Sequence, residues 1–306
     1  MVEDKKKFRM KESTVLLLIA IPFVLYIFAF YYVPLFGWGY AFVDYRPAFG
    51  INPFNHNFVG FANFTQVFNN RNEMIRVLRN TLAISGLGLL ASPLPVLFAI
   101  LLMEIRGKRF KRIIQTVTTF PNFISWIIIY GIALSFFSRT GVFSQFREFL
   151  GFPPQLIGPM GNVNIAWGFQ TMLSVWRSLG WSAIIYCAAI SGIDDSLYEA
   201  ARLDGASKIQ CIRHITIPGV AETYLVLLLL SIGNILTNGF EQFFVFDNNL
   251  VTERLMVLDL FVYRVGITQG QFSYATAIGM MRSLVGLTLL FTANRIAKKI
   301  RGESLI

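Results

Sequence analysis

Polar side chains recur at helical spacing inside three strongly apolar segments. Gln115, Thr118, Asn122 and Ser125 stand at i, i+3, i+7 and i+10, and Gln170, Ser174, Arg177 and Trp181 at i, i+4, i+7 and i+11. Ser231, Asn234, Asn238, Glu241 and Gln242 form a third set on one face. Residues at these intervals share one side of a helix. In an apolar helix such a stripe either hydrogen-bonds neighbouring helices or lines a path for a polar solute. Thr118, Ser174 and Ser231 suit the first use. Asn122, Arg177, Asn238 and Glu241 suit the second, and a guanidinium in apolar surroundings needs a partner, for which Glu241 or a uronate carboxylate of a solute would serve. Covalent and metal chemistry find no support. His56 and His214 are the only histidines and Cys187 and Cys211 the only cysteines, and they build no HExxH, CxxC or Ser-His-Asp arrangement. No catalytic residue and no metal site is expected. A GxxxxGK[ST] loop is also missing, so nucleotide hydrolysis is not expected of this chain.

Long helices in an apolar medium must position these stripes, and the composition provides them. Of 306 residues, 55% are hydrophobic and 14% charged, against about 25% charged in a soluble globular chain. That balance argues against a soluble enzyme, a disordered regulator or a nucleic-acid module. A helix needs about 20 apolar residues to cross a bilayer core. Six runs qualify, at 15–36, 81–103, 113–136, 165–190, 223–244 and 274–291. The expected fold is therefore all-α, a polytopic membrane protein with six transmembrane helices. The first run follows Lys5, Lys6, Lys7, Arg9 and Lys11, yet it is too long for a signal-peptide core and no small-residue cleavage site follows it. It reads as an uncleaved span, with residues 1–14 as a basic tail and 15–306 as the membrane domain. Six spans place both termini and the second and fourth loops on one side. That side holds seventeen of the 27 Lys and Arg and the opposite loops eight, which makes it the cytoplasmic side. The net charge of +10 thus reports topology, and no nucleic-acid partner is expected.

The loop at 192–219 (GIDDSLYEAARLDGASKIQCIRHITIPG) has the clearest local grammar. Asp194, Asp195 and Ser196 are N-cap residue types, and 197–203 holds strong helix formers. Glu199 and Arg202 stand three apart, a spacing that permits a surface pair. Asp204-Gly205 ends the helix, Gly205 being suited to a left-handed C-terminal position. Ser207 then caps a second short helix through Ile212, and Pro218 opens the next span. The reading is a helix–turn–helix along the cytoplasmic surface.

Glu199-Ala200-Ala201, Asp204-Gly205-Ala206 and Ile215-Thr216-Ile217-Pro218 together resemble the EAA motif of ABC importer permeases. Residues 31–45 (YYVPLFGWGYAFVDY), 58–64 (FVGFANF), 240–243 (FEQF), 259–266 (DLFVYRVG) and 274–283 (YATAIGMMRS) resemble the LplB/YteP branch of carbohydrate permeases, related to MalF and MalG. The resemblance implies the type I ABC importer permease fold and an ATPase-coupling role for Glu199, Ala200, Ala201, Asp204, Gly205, Ala206 and Pro218. It implies a second homologous permease, two ATPase subunits that bind the ATP and Mg, and an extracellular solute-binding lipoprotein. It further implies an oligosaccharide substrate, acidic polysaccharide fragments among the options, and a bacterial, mostly Gram-positive, cell membrane. Sugars present hydroxyls and an apolar ring face, so polar groups beside aromatic rings suit them. The substrate-path residues are then Asn122, Trp126, Gln170, Trp176, Arg177, Trp181, Asn234, Asn238, Glu241 and Gln242, although tryptophans also anchor helices at the membrane interface. The alternative is an ion-coupled secondary transporter, which would show inverted repeats, broken spans and a mid-membrane carboxylate.

Overall fold

Some prolines in the apolar runs interrupt helices, as at Pro121, while others, such as Pro22 and Pro95, lie inside them. The computed structural model describes residues 12–52, 56–153 and 158–301. Among them, six helical segments are long and apolar enough to cross a membrane: Ser13–Phe42, Arg71–Met103, Trp126–Phe149, Ala166–Ser191, Lys208–Gly233 and Phe272–Lys299. The predicted basic side chains at 5–11 lie outside the described residues. In chain order the helices are α1 (Glu12–Ile27), α2 (Ala62–Asn69), α3 (Arg71–Ala91), α4 (Pro93–Met103), α5 (Lys108–Thr119), α6 (Trp126–Phe137) and α7 (Val142–Phe149). They continue with α8 (Ala166–Ser191), α9 (Asp195–Leu203), α10 (Lys208–Cys211), α11 (Ile217–Gly233), α12 (Phe240–Phe246), α13 (Thr252–Leu255), α14 (Leu258–Tyr263) and α15 (Phe272–Arg301). Strand pairing among the described residues is limited to an isolated antiparallel bridge between Val43 and Phe58.

Two of the six expected spans differ from the sequence reading. The run at 113–136 is not one helix. α5 ends at Thr119, a 3-10 turn occupies Phe120–Phe123, and α6 restarts at Trp126 with the Ser125 hydroxyl accepting from the Ile128 N–H. Pro121 lacks the N–H that would continue the ladder, and its ring crowds the preceding turn. The run at 223–244 is also broken. α11 stops at Gly233, and α12 begins only at Phe240. Asn234 and Asn238 therefore lie in the interruption and Glu241 and Gln242 on a separate helix, so the five polar residues share no helical face. The second short helix of the 192–219 loop is likewise not free-standing. α10 runs through a π-helical stretch, Ile212–Thr216, directly into α11. The wider turn accommodates Pro218, which would clash with the carbonyl of a regular helix four residues earlier.

The chain divides into two units. The first comprises Met1–Asn69 and Val265–Met280. Within it the 31–45 and 58–64 segments meet: the Val59 N–H donates to the Phe42 carbonyl (2.9 Å), and the Asn63 amide donates to the carbonyls of Ala41 and Val43 (3.0 and 3.3 Å). Phe42 packs on Phe61 and Phe64, and the Tyr45 N–H donates to the Ser273 hydroxyl (2.9 Å).

The second unit comprises Asn70–Arg264 and Met281–Ile306. Its centre is α8, which packs against α3, α4, α5 and α11. At one end, Ala99 and Ile100 of α4, Ala183, Tyr186 and Ile190 of α8 and Val220 of α11 make a buried cluster. At the other, Asn80 and Thr81 of α3 are fully buried and anchor the 253–258 segment: the Asn80 amide donates to the Glu253 and Met256 carbonyls, and the Thr81 hydroxyl accepts from the Leu258 N–H. Phe246 of α12 meets Trp126, Tyr130 and Phe169 edge-on. These polar anchors matter because a backbone group left unpaired in hydrocarbon is costly.

Candidate functional site

α9 is built by its own caps. The Asp194 side chain accepts from the Ser196 N–H (2.9 Å), and that bond holds the carboxyl below its ordinary range. The cap therefore stays charged down through the ordinary carboxylate pKa of about 4. At the other end the Ala206 N–H donates to the Ala201 carbonyl (2.9 Å) and the Gly205 N–H to the Arg202 carbonyl (3.1 Å). This pair of bonds is a Schellman motif, and it requires the left-handed backbone that Gly205 adopts at φ +78°. Ser207 and Gln210 complete a reciprocal capping box on α10. Glu199 and Arg202 are both exposed and form no ion pair with each other among the described residues. Leu203 is 89% exposed at the tip of the turn.

Two contacts tie this exposed element to the bundle. The Tyr198 hydroxyl bonds the Thr216 hydroxyl (2.9 Å), just below Pro218 and α11. The Lys208 ammonium bonds the Glu104 carboxylate (2.9 Å) at the end of α4. The exposed ion pair contributes under about 1 kcal/mol. α9 is thus joined to the start of α11 by the Tyr198–Thr216 bond, and Ile193, just before α9, packs on Gly219 of α11.

α11 leads from that contact to a cavity of about 550 Å³ between α3, α4, α8 and α11. Its lining carries no charged residue. Hydroxyls and amides of Ser85, Thr171, Ser174, Ser178, Ser182, Ser231, Asn234 and Asn238 alternate there with aliphatic side chains such as Leu89, Val175, Leu179 and Leu230. Thr171, Ser178 and Ser231 each donate their proton to the carbonyl four residues earlier on their own helix. Their remaining lone pairs are acceptors, so the wall suits a donor-rich polyol. Of the sequence-predicted path residues, Asn234 and Asn238 line this cavity. The hydroxyls at 171, 178 and 182 follow Gln170, Arg177 and Trp181 by one residue and sit about 100° further round the helix. The spacing of this second stripe is legible in the sequence, one position after the larger polar residues.

The other predicted residues lie outside the lining of this cavity. Arg177 does not pair with Glu241 among the described residues. Its guanidinium donates to the carbonyls of Asn122 (3.1 Å) and Ile124 (3.3 Å) and lies 5.0 Å from the Trp126 ring centroid. It thereby satisfies carbonyls that the interrupted third span cannot bond internally. Gln170 and Gln242, 2% and 3% exposed, lock to each other side chain to side chain (2.7 Å), and the Ser174 hydroxyl donates to Gln242 (2.8 Å). Trp176 and Trp181 are exposed, the latter edge-on to Phe123, and Glu241 is exposed on α12.

The fifth-span break has a clamp at Asp259, and Arg282 is its structural ion-pair partner. The Asp259 carboxylate accepts from the N–H groups of Asn238 (2.8 Å) and Gly239 (3.0 Å) and is ion-paired with Arg282. The Asn238 amide reaches on to the Ser85 hydroxyl (2.8 Å). Broken spans are a mark of ion-coupled carriers, yet here Arg177 and Asp259 cap the breaks and Arg282 neutralises Asp259. Asp259→Asn leaves the half-buried Arg282 without its counter-charge. With discounting for Arg282's partial exposure, it is expected to destabilise the chain by about 2 kcal/mol. Thermal unfolding of the detergent-extracted protein measures this, and adding Arg282→Gln should recover part of the loss.

Comparison with known proteins agrees with this geometry. The model of the family described as "Binding-protein-dependent transport system inner membrane component" matches residues 91–302. The chain is 39% identical to Protein LplB of Bacillus subtilis (strain 168), over 97% of this chain and 92% of that protein. It is 37% identical to the polygalacturonan/rhamnogalacturonan transport system permease protein YteP of the same organism, over 99% and 94% respectively. The crystal structure of a bacterial ABC transporter involved in the import of the acidic polysaccharide alginate has a chain that superposes with a TM-score of 0.84 at 30% identity, covering 94% of this chain and 96% of that one. That transporter in complex with alginate pentasaccharide-bound periplasmic protein gives the same TM-score at 29% identity. With the α9 loop inside the matched region and near-full-length relatives above 30% identity, the chain belongs to the family of binding-protein-dependent transport system inner membrane components and is a multi-pass, non-catalytic permease subunit of an ABC importer.

Proposed function

We propose that this subunit forms part of the path by which oligosaccharides, acidic polysaccharide fragments among them, enter a bacterial cell of Gram-positive type. The observation that carries the reading is α9: a rigidly capped, exposed helix with an apolar tip, joined through Tyr198 and Thr216 to a helix that ends at a hydroxyl-lined cavity. The substrate class is supported by the acceptor-rich cavity wall and by the sugar specificity in the names of its relatives.

Both termini and α9 face the cytoplasm, on the seventeen-to-eight asymmetry of basic residues. One of two ATPase subunits, which hold the ATP and Mg, receives α9 through Glu199, Ala200, Ala201, Asp204, Gly205 and Ala206. A second, homologous permease completes the path, and an extracellular binding lipoprotein delivers the sugar. ATP-driven closure of the ATPases pushes α9, and the 208–233 column carries the displacement to Ser231 and Asn234 at the cavity. Driving such a change from 1:99 to 99:1 takes about 5.5 kcal/mol of differential stabilisation, which ATP binding at the partners provides. The uncharged cavity offers no counter-charge to a uronate, so any carboxylates are met outside it.

Proteoliposomes holding this subunit, its sister permease, the ATPases and the binding protein test the reading. Uptake of a labelled oligosaccharide is expected only with ATP on the ATPase side. Uptake by this chain alone, driven by an ion gradient, would refute it. Ser178→Leu narrows the cavity and is expected to lower uptake by roughly an order of magnitude, a loss of about 1.4 kcal/mol in transition-state terms. Assembly with the ATPases should be unaffected, which co-purification checks.

A further inference from the structure

We infer that the N-terminal half of α5, with Arg106 before it, is a docking surface for anionic phospholipid of the surrounding bilayer. Arg106, Lys108, Arg109 and Arg112 are exposed, and none has an ion pair or hydrogen bond among the described residues. The segment's sole carboxylate, Glu104, is occupied by Lys208. Four cations therefore stand together without an internal counter-charge. The first turn of α5 has no acidic residue and no side-chain cap. Cations there are opposed by the helix dipole unless an external anion answers them.

The apolar side of the same helix decides which anion. Phe110, Ile113 and Val117 follow at i, i+3 and i+7 and are 60%, 59% and 63% exposed. Near its C-terminal end the helix backbone, at Thr118 and Thr119, lies against α8 at Gly180. The outward surface thus places cations at one end of the helix and an apolar stripe along its body. A phospholipid matches both, with phosphate against the guanidinium and ammonium groups and acyl chain along Phe110, Ile113 and Val117. An acidic protein surface would answer only the cations and leave the stripe exposed to water. The inference stands apart from the identity of the transported solute.

The test uses the full chain reconstituted in phosphatidylcholine vesicles with and without phosphatidylglycerol, and spin-labelled analogues of both lipids. The immobilised fraction of each label reports its relative association. Wild type is expected to prefer phosphatidylglycerol roughly tenfold, less than the summed attraction of four surface cations because salt screens them. In Lys108→Gln/Arg109→Gln/Arg112→Gln the preference should fall at least threefold, while Lys108→Arg/Arg109→Lys/Arg112→Lys, which keeps the charge, should retain it. Higher ionic strength should lower the wild-type preference. Equal association of both lipids with wild type would overturn the inference. So would an unchanged preference in the glutamine variant, or loss of ATPase co-purification in that variant with lipid preference intact, which would mark the patch as a protein contact.

Discussion

Gly205→Val is expected to cut ATP-driven uptake by at least tenfold while the amount of chain in the membrane stays the same. Gly205 stands at φ +78° and its missing side chain would meet nothing within 4 Å. The effect is therefore conformational rather than a clash. A left-handed backbone costs an ordinary L-residue about 1–2 kcal/mol and a β-branched one more. The alternative for valine is to abandon the turn, releasing the Ala206–Ala201 and Gly205–Arg202 bonds that end α9. Either way the fraction of α9 presented in its native shape falls about 5–30-fold. Substitutions should rank by tolerance of that conformation: Gly, then Asn, then Ala, then Val. Uptake and ATPase stimulation measured across the series check it. Equal activity of the Asn and Val variants would remove the conformational argument, and full uptake by the Val variant would remove α9 from the coupling path.

Gly180→Ala should have the largest effect on folding. A Cβ built on Gly180 would lie 2.3 Å from the carbonyl carbon and oxygen of Thr118 and 2.6 Å from the Thr119 nitrogen. These are backbone atoms of α5, so no side-chain rotation relieves the overlap. α5 must move from α8, and the Arg177 bonds to Asn122 and Ile124 lie just beyond. A loss of about 3 kcal/mol or more is expected, at or above the upper end for overpacking. The control is on the same helix: Gly168 has nothing within 4 Å of its built Cβ. Gly168→Ala should be neutral or stabilising by up to about 1 kcal/mol. Thermal unfolding in detergent separates the two, and similar midpoints for both variants would disprove the close approach.

The site was legible in proportion to how local its interactions are. Asp194, Gly205, Ser207 and Gln210 act on backbone groups within five residues, so residue type nearly dictates α9 and the capping box. The six apolar runs were likewise legible, because burial in lipid depends on composition over about 20 residues. The Glu199–Arg202 pairing was not, since exposed ions at that spacing gain too little to be held together.

The amino-acid sequence by itself determined the membrane class, the position of all six apolar runs and the shape of the exposed α9 element. Only the tertiary structure decided that the third and fifth runs are broken, and what Arg177 and Asp259 do. A proline or an asparagine in an apolar run is compatible with a kinked helix or a full stop, and the outcome depends on whether the freed backbone groups find partners. Those partners stand far away in the chain: Arg177 is 53 and 55 residues from the carbonyls it satisfies, and Asp259 some 20 residues from the N–H groups it accepts. Their free energy exists only once α8, α5 and α14 are packed, which no local pattern encodes.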